Sequence, residues 1–276
     1  MLEALVLGAI QGMTEWITIS SDGMIVLART VLFGHTDVRE SIDVALMLHF
    51  GTMVAAIVYF RRDVGELLRE LGRVITRRER GASRDLLWFL IGTTLISGAL
   101  GLVLLEGFGR AIQVIGSTSG AATIRVIVGA IGVFLIATGA MLLSARKRQA
   151  AAVPRQRITL FDTVLLGVMQ GFAVLPGLSR SGLTIMALLL RKFDGQQALR
   201  LSFLMSIPIV FAGNLVLLRN GAPFDATLLW GLLTSFAFGI ATIHAFMAFT
   251  RRVNLGVFVI VIGMLTIIAA LLSRVL

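Results

Sequence analysis

The chain is 276 residues long, 57% hydrophobic and only 14% charged, with a mean hydropathy of +0.93. It contains no cysteine, which excludes disulfides, thiolate nucleophiles and Cys-ligated metals and leaves any chemistry to oxygen and nitrogen groups. The net charge of +10 does not point to nucleic acid, because the basic residues sit in loops between apolar stretches; the composition is that of an integral membrane protein.

The first segment, 2–32, is apolar but interrupted by Gln11, Thr14, Glu15, Thr18, Ser20, Ser21 and Asp22, with a break near its middle at Thr18–Gly23. Each half is too short to cross a bilayer, which takes about 20 apolar residues. Stretches long enough to span follow near 41–60, 86–105 and 122–143. A second broken segment, 160–190, is interrupted by Pro176–Gly182, and further spans lie near 200–218, 227–249 and 253–273. Irregular backbone at membrane depth is tolerated only where protein buries it or where it lines a wet cavity. Both broken segments therefore read as re-entrant helix pairs rather than kinked full crossings. The expected fold is an all-α polytopic membrane protein of about six transmembrane helices plus two re-entrant helix pairs.

The two broken segments repeat one another. Gln11-Gly12, Ser20 and Gly23 return as Gln170-Gly171, Ser179 and Gly182 at a single offset of 159 residues without a gap. This divides the chain into a first repeat, 1–150, and a second, 151–276. Loops 61–85 and 145–158, the stretch 191–200 and the pair Arg251 and Arg252 hold 18 of the 25 Lys and Arg residues. Six spans and two re-entrant pairs place all of them on one side, which the positive-inside rule makes cytoplasmic. Both termini are then outside, and the broken segments enter from opposite faces as an inverted repeat whose tips can meet. The expected location is the cell membrane. Within 61–85, Glu66, Arg69, Glu70 and Arg73 mix signs at helical spacing, which reads as a solvated cytoplasmic helix hairpin with no chemistry. His35 reads as a loop residue and His244 as a polar residue inside a span.

Polar groups at membrane depth are candidate functional residues. The second tip offers Gly177, Ser179, Arg180, Ser181, Gly182 and Thr184 just before and at the start of a helix. Glycine lets backbone approach a ligand, helix N-terminal amides attract phosphate, and Arg is a bidentate donor matched to phosphate oxygens. That pattern is an anion site. The first tip adds Ser20, Ser21 and Glu15, with Gln11 on the same helix face as Glu15. A carboxylate beside a phosphate site is repulsive unless it binds a metal or handles protons, which tilts the reading from binding toward catalysis.

The pattern Gln11-x-x-x-Glu15, Trp16, Ser20-Ser21-x-Gly23 and Pro176-Gly-x-Ser-Arg-Ser-Gly-x-Thr184 resembles the undecaprenyl-diphosphatase, or bacitracin-resistance, family over essentially the whole chain. The resemblance implies inverted repeats with two re-entrant helix pairs. It also implies removal of one phosphate from a polyprenyl diphosphate lipid, a divalent cation such as magnesium or calcium, and a site open to the outer face. In this chain Met24 stands where the family pattern has histidine, Thr18 replaces a proline, and Asp22 stands where Ser or Thr is usual. A thioether is neither base nor nucleophile. Three explanations stay open: Glu15 and Asp22 hold the metal and activate Ser21 or water; His49, in the following span, supplies the imidazole; or catalysis is lost.

The expected mechanism is in-line displacement at the terminal phosphorus. Arg180 clamps phosphate oxygens while Ser179, Ser181 and Thr184 complete the cradle, and Glu15, with Gln11 and Asp22, binds the cation or takes the proton. Ser21 is the nucleophile or, equally, a helix cap. The alternative function is a flippase for polyprenyl phosphate or another anionic lipid, since inverted repeats with broken helices are also transporter architecture. Gly129, Gly132 and Gly139 permit close helix contacts, either inside the chain or in an oligomer.

Overall fold

The structure is a computed structural model that describes residues 1–17, 19–35, 37–77, 81–116, 120–149, 155, 157–175, 178–219, 226–249 and 255–272. Every described element is helical: α1 (Leu2–Thr14), α2 (Ser21–Phe33), α3 (Val38–Tyr59), α4 (Arg61–Ile75), α5 (Arg84–Gly116), α6 (Gly120–Gln149), α7 (Leu160–Phe172), α8 (Arg180–Leu190), α9 (Gly195–Arg219), α10 (Ala226–Phe249) and α11 (Leu255–Leu272). Five of them, α3, α5, α6, α9 and α10, are long and apolar enough to cross a membrane, while the apolar stretch of α11, Gly256–Ile268, is shorter. Several run past the apolar limits read from sequence: α5 continues to Gly116 and α6 to Gln149, because polar flanks can extend a helix beyond the hydrocarbon.

The broken segments are pairs of half-helices. α1 and α2 have 13 residues each, as has α7, and α8 has 11. At a rise of about 1.5 Å per residue none reaches across a hydrocarbon core of about 30 Å. New helices start where a serine caps them: Ser20 Oγ accepts the Gly23 amide at 3.2 Å and Ser179 Oγ accepts the Gly182 amide at 3.1 Å. Each pair is closed at its open end by an acid and an arginine. Arg29 Nε donates to Glu3 at 3.1 Å, and Arg191 Nε donates to Asp162 at 2.6 Å. Glu3 and Asp162 stand at the same 159-residue offset as the tip motifs.

These closures lie at opposite ends of the bundle. Arg29 also reaches Glu40 at 2.9 Å, at the start of α3. Arg155 contacts Asp162 at 3.3 Å, and its amide donates to the Lys192 carbonyl. Asp63, at the start of α4, pairs with Arg200 of α9, and Gln196 Nε2 donates to Met247 O near the end of α10 at 3.4 Å. The described residues of the basic stretches, Arg155, Lys192 and Arg200 with Asp63 of α4 among them, thus gather at one end, where the second pair enters, and the first pair enters from the other. The two tips meet between them.

Each hairpin rests on a long helix from the other part of the chain: α1 packs on α10, and α7 on α5. Glycines make both approaches. A Cβ at Gly8 would strike Thr234 and Gly231 of α10, and one at Gly12 would lie 2.7 Å from Ser235 O. Their counterparts meet α5: a Cβ at Gly167 would lie 2.7 Å from Ile96, and one at Gly171 2.9 Å from Leu100. α6 and α11 cross antiparallel, Gly132 against Gly263 and Gly139 against Gly256. Gly132 and Gly139 are therefore spent inside the chain, whereas Gly129 faces open space.

A leucine at position 139 would force its Cβ to 2.7 Å from Gly256 O, so Gly139→Leu should cost about 1–3 kcal/mol or more by overpacking. Gly129→Leu should be near neutral. Thermal unfolding of the two variants in detergent checks the contrast, and equal midpoints would mean the crossing is not where the structure puts it.

Candidate active site

The two tips enclose a cleft of about 250 Å³, its open mouth included. The first tip lines it with Glu15, Ile19, Ser20, Ser21 and Asp22, the second with Ala173, Leu178, Ser179, Arg180 and Ser181, and α3 adds His49. Glu15 is the centre. One of its oxygens accepts from Arg180 Nη2 across the two hairpins. The other accepts from Gln11 Nε2 at 2.9 Å and from the Ser21 hydroxyl at 2.8 Å, and lies 3.0 Å from His49 Nε2.

Burying a carboxylate is costly unless it is paired and hydrogen-bonded. Glu15 is 5% exposed, and its partners include a guanidinium, an amide, a hydroxyl and an imidazole. Sequence reading offered Glu15 as a cation ligand, yet in this arrangement both its oxygens are occupied by donors. Beside it, Gln11 Oε1 and Asp22 Oδ1 are buried without a hydrogen-bond partner, Asp22 Oδ1 lying 3.9 Å from His49 Nδ1. Among the described residues no three His, Asp or Glu side chains form a ready cation cage.

His49, one of the three explanations left open for the missing motif histidine, lines the cleft. Its Nδ1 is 2.7 Å from Ala45 O and its Nε2 is 3.0 Å from Glu15, so both ring nitrogens face an acceptor, as suits an imidazolium. Ser21 Oγ is 3.4 Å from the same Nε2. Hydroxyl and carboxylate share one ring nitrogen, which differs from a relay in which they hold opposite nitrogens. The backbone behind His49 is pinned: Ser235 Oγ donates to Leu48 O at 2.9 Å, and Asn214 Nδ2 to Leu46 O at 3.2 Å. Met24 packs against the apolar core.

The structure sorts the hydroxyls. Ser20 and Ser179 are the caps of α2 and α8. Ser21 is turned to Glu15, and Ser181 donates to the Glu15 carbonyl at 3.3 Å and sits 3.2 Å from Ser179 Oγ. Thr184 does not line the cleft; its hydroxyl donates to Arg180 O at 2.8 Å and meets Ser202 Oγ at 2.7 Å. Gly182 approaches Thr138 of α6 rather than the cleft, with 2.7 Å for an added Cβ. Gly177 lies outside the described residues. Ser202, absent from the sequence reading, also accepts Arg180 Nη1 on its carbonyl at 3.3 Å; its signal was a hydroxyl at depth in an apolar span. Trp16 packs edge-on to Phe203 of α9 with ring centroids 4.8 Å apart, setting the first tip against the same helix.

The family model described as bacitracin resistance protein BacA matches residues 4–268. The chain belongs to this family. Among its relatives, a protein named undecaprenyl-diphosphatase from Methanococcoides burtonii is 39% identical over 273 residues, covering 98% of each chain. One of the same name from Haloarcula marismortui is 37% identical over 281 residues, covering 98% of this chain and 97% of the relative. A bacterial relative of that name, from Syntrophotalea carbinolica, is 33% identical over 263 residues and covers 94% of each chain. The BacA match spans both hairpins, so the two tip motifs belong to one family unit.

Because Glu15 and Arg180 are joined in a buried pair, Arg180→Ala strands a carboxylate and should destabilise by about 3–5 kcal/mol. Glu15→Gln in the Arg180→Ala background should recover part of that loss, giving a coupling of about 0.5–3 kcal/mol. Unfolding midpoints of the wild type, the two single variants and the double variant close the cycle. Strict additivity would show that the tips do not meet through this pair.

Proposed function

We propose that the chain hydrolyses a polyprenyl diphosphate of the undecaprenyl type to the monophosphate lipid and inorganic phosphate, in the cleft between the two tips. The observation that carries this reading is Arg180 facing Glu15, Ser21 and His49 in one buried cleft. The names of the relatives support the substrate class. We further propose that 1–150 and 151–276 are two inverted repeats, with the cleft opening to the outer face. The gathering of basic stretches at the opposite end from Glu3 and Arg29 supports that orientation.

Phosphoryl transfer needs chiefly positioning and charge stabilisation. Arg180 takes the terminal phosphate oxygens, with the Ser179 and Ser181 hydroxyls beside it and the N-terminal amides of α8 near by. As Arg180 turns to phosphate, Glu15 loses one of its two cationic partners and becomes the better base. Ser21 Oγ then bonds to the terminal phosphorus while its proton passes to Glu15 along their existing hydrogen bond. The bridging P–O bond breaks and the lipid monophosphate leaves, with the His49 ring offsetting charge in the cleft. Water attacks the phosphoserine, frees inorganic phosphate and restores the Ser21 hydroxyl, and the proton held by Glu15 leaves with the products.

A magnesium or calcium ion fits the donor chemistry, since Gln11 Oε1 and Asp22 Oδ1 are buried oxygens without a hydrogen-bond partner and hard cations take oxygen ligands shared with substrate phosphates. Bound there, it would neutralise diphosphate charge. Chelation should therefore abolish phosphate release, and added magnesium or calcium should restore it, with Asp22→Asn raising the cation concentration needed for half-maximal rate.

Phosphate release from a medium-length polyprenyl diphosphate tests the whole reading and separates it from lipid transfer, which liberates no phosphate. Arg180→Ala should lower the rate by about 10²–10³-fold, the scale for loss of a transition-state charge donor. Glu15→Gln and His49→Gln should each fall at least about tenfold, and Met24→Leu should match wild type. Full turnover in Arg180→Ala would overturn the assignment of the anion site.

A further inference from the structure

α4 follows α3 directly, after the aromatic pair Tyr59 and Phe60, whose rings pack edge to face at 5.0 Å. One side of α4 is committed to the protein. Asp63 pairs with Arg200, Leu67 is buried, and Glu66 accepts from Ser83 at 3.4 Å. Glu70, fully buried, accepts from the Gly81 amide at 3.1 Å and from Arg73 at 3.2 Å. Asp63 and Glu70 are thus turned inward, while Glu66 stays exposed.

The neighbouring side is left outward. Leu68, Leu71 and Ile75 are 63%, 37% and 72% exposed; at this spacing the three lie on one stripe, which runs back to Val64, packed against the core. Arg61 stands at its edge and Arg62 and Arg69 beyond it on the polar side, all exposed. This apolar stripe with a basic edge is held by two sets of contacts, at the end of the bundle where the basic stretches gather.

We propose that α4 lies in the plane of the bilayer interface, with its leucine and isoleucine stripe in the acyl boundary and its arginine edge bound to the phosphates of anionic lipids. Two observations select a lipid surface as the occupant. α4 is continuous with α3, a helix long and apolar enough to cross the membrane, so it begins at membrane level. Its exposed charge is mainly basic, Arg61, Arg62 and Arg69 against Glu66, which complements anionic headgroups and would repel a second copy of the same edge.

The chain has no cysteine, so single spin labels can be introduced without background. In vesicles of phosphatidylcholine and phosphatidylglycerol, labels at Leu68→Cys and Ile75→Cys should be more accessible to oxygen than to a water-soluble nickel complex. A label at Arg62→Cys should show the reverse. Preferential access of the nickel complex to both stripe positions, or spin–spin broadening between copies, would overturn the interfacial placement in favour of water or a second copy. For the headgroup claim, the full-length protein exchanged into mixed vesicles should retain fewer phosphatidylglycerol molecules when Arg61, Arg62 and Arg69 are all replaced by Gln. Phosphate release should be unaltered in phosphatidylcholine alone. Unchanged phosphatidylglycerol retention in the triple variant would overturn the arginine edge as a lipid site.

Discussion

A charged group at membrane depth must find its partners within the protein, and the rest of this structure depends on how Glu15 meets that demand. A half-helix that stops in mid-membrane exposes unpaired backbone groups and, here, a carboxylate. Neither hairpin can satisfy its own tip. The first needs the guanidinium of Arg180, and Arg180 in turn relies on Glu15 and on the Ser202 carbonyl of α9. The pairing costs desolvation that is repaid only if each remaining lone pair is met, and Gln11, Ser21 and His49 meet them. The tips are therefore held together by the same groups that can do chemistry. An anion that took Arg180 in this cleft would compete with Glu15 for it and release the carboxylate.

The two hairpins share a scaffold and differ in chemistry. What is kept at the 159-residue offset is structural: Gly8 and Gly12 against α10, Gly167 and Gly171 against α5, serine caps on α2 and α8, and acids at Glu3 and Asp162 that close the open ends. What differs is the reactive set. Val174 stands at the position of Glu15, and Arg180 at that of Ser21. Two tips with the same carboxylate would repel, and two with the same arginine would leave charge unbalanced. Divergence of the pair lets an acid half and a basic half face each other across the middle of the bundle.

Much of this was legible in the amino-acid sequence, because hydrophobic length and the interruptions of it are one-dimensional properties. The breaks at Ser20 and Ser179, the basic loops and the pairing of an Arg-rich with an acid-containing tip follow from residue order. What was not legible depends on rotation about a helix axis. Ser20 and Ser21 are adjacent and chemically identical, yet one caps α2 and the other faces Glu15. Gly182 and Thr184 belong to the same motif as Arg180, yet they serve the packing of α8 on α6 and α9. Gly132 and Gly139 read equally well as an oligomer surface until α11 is seen against them. The long separation between Leu48 and Ser235, which steady the backbone at His49, carries no local signal at all.

The exchange of histidine for methionine at position 24 takes its meaning from the same geometry. An imidazole within hydrogen-bond reach of a carboxylate can be delivered by either of two neighbouring helices. In this chain α3 crosses beside the first tip and places His49 Nε2 at 3.0 Å from Glu15, with Nδ1 anchored on Ala45 O one turn back. Once that position is filled, a second imidazole from α2 would bring another ring into a cleft already shared by Glu15, Asp22, His49 and Arg180. An apolar thioether packed against the core avoids that crowding. With His49 beside Glu15, Met24 is left to the apolar packing of α2, and Asp22, its Oδ1 without a hydrogen-bond partner and 3.9 Å from His49 Nδ1, adds a second carboxylate to the same cleft.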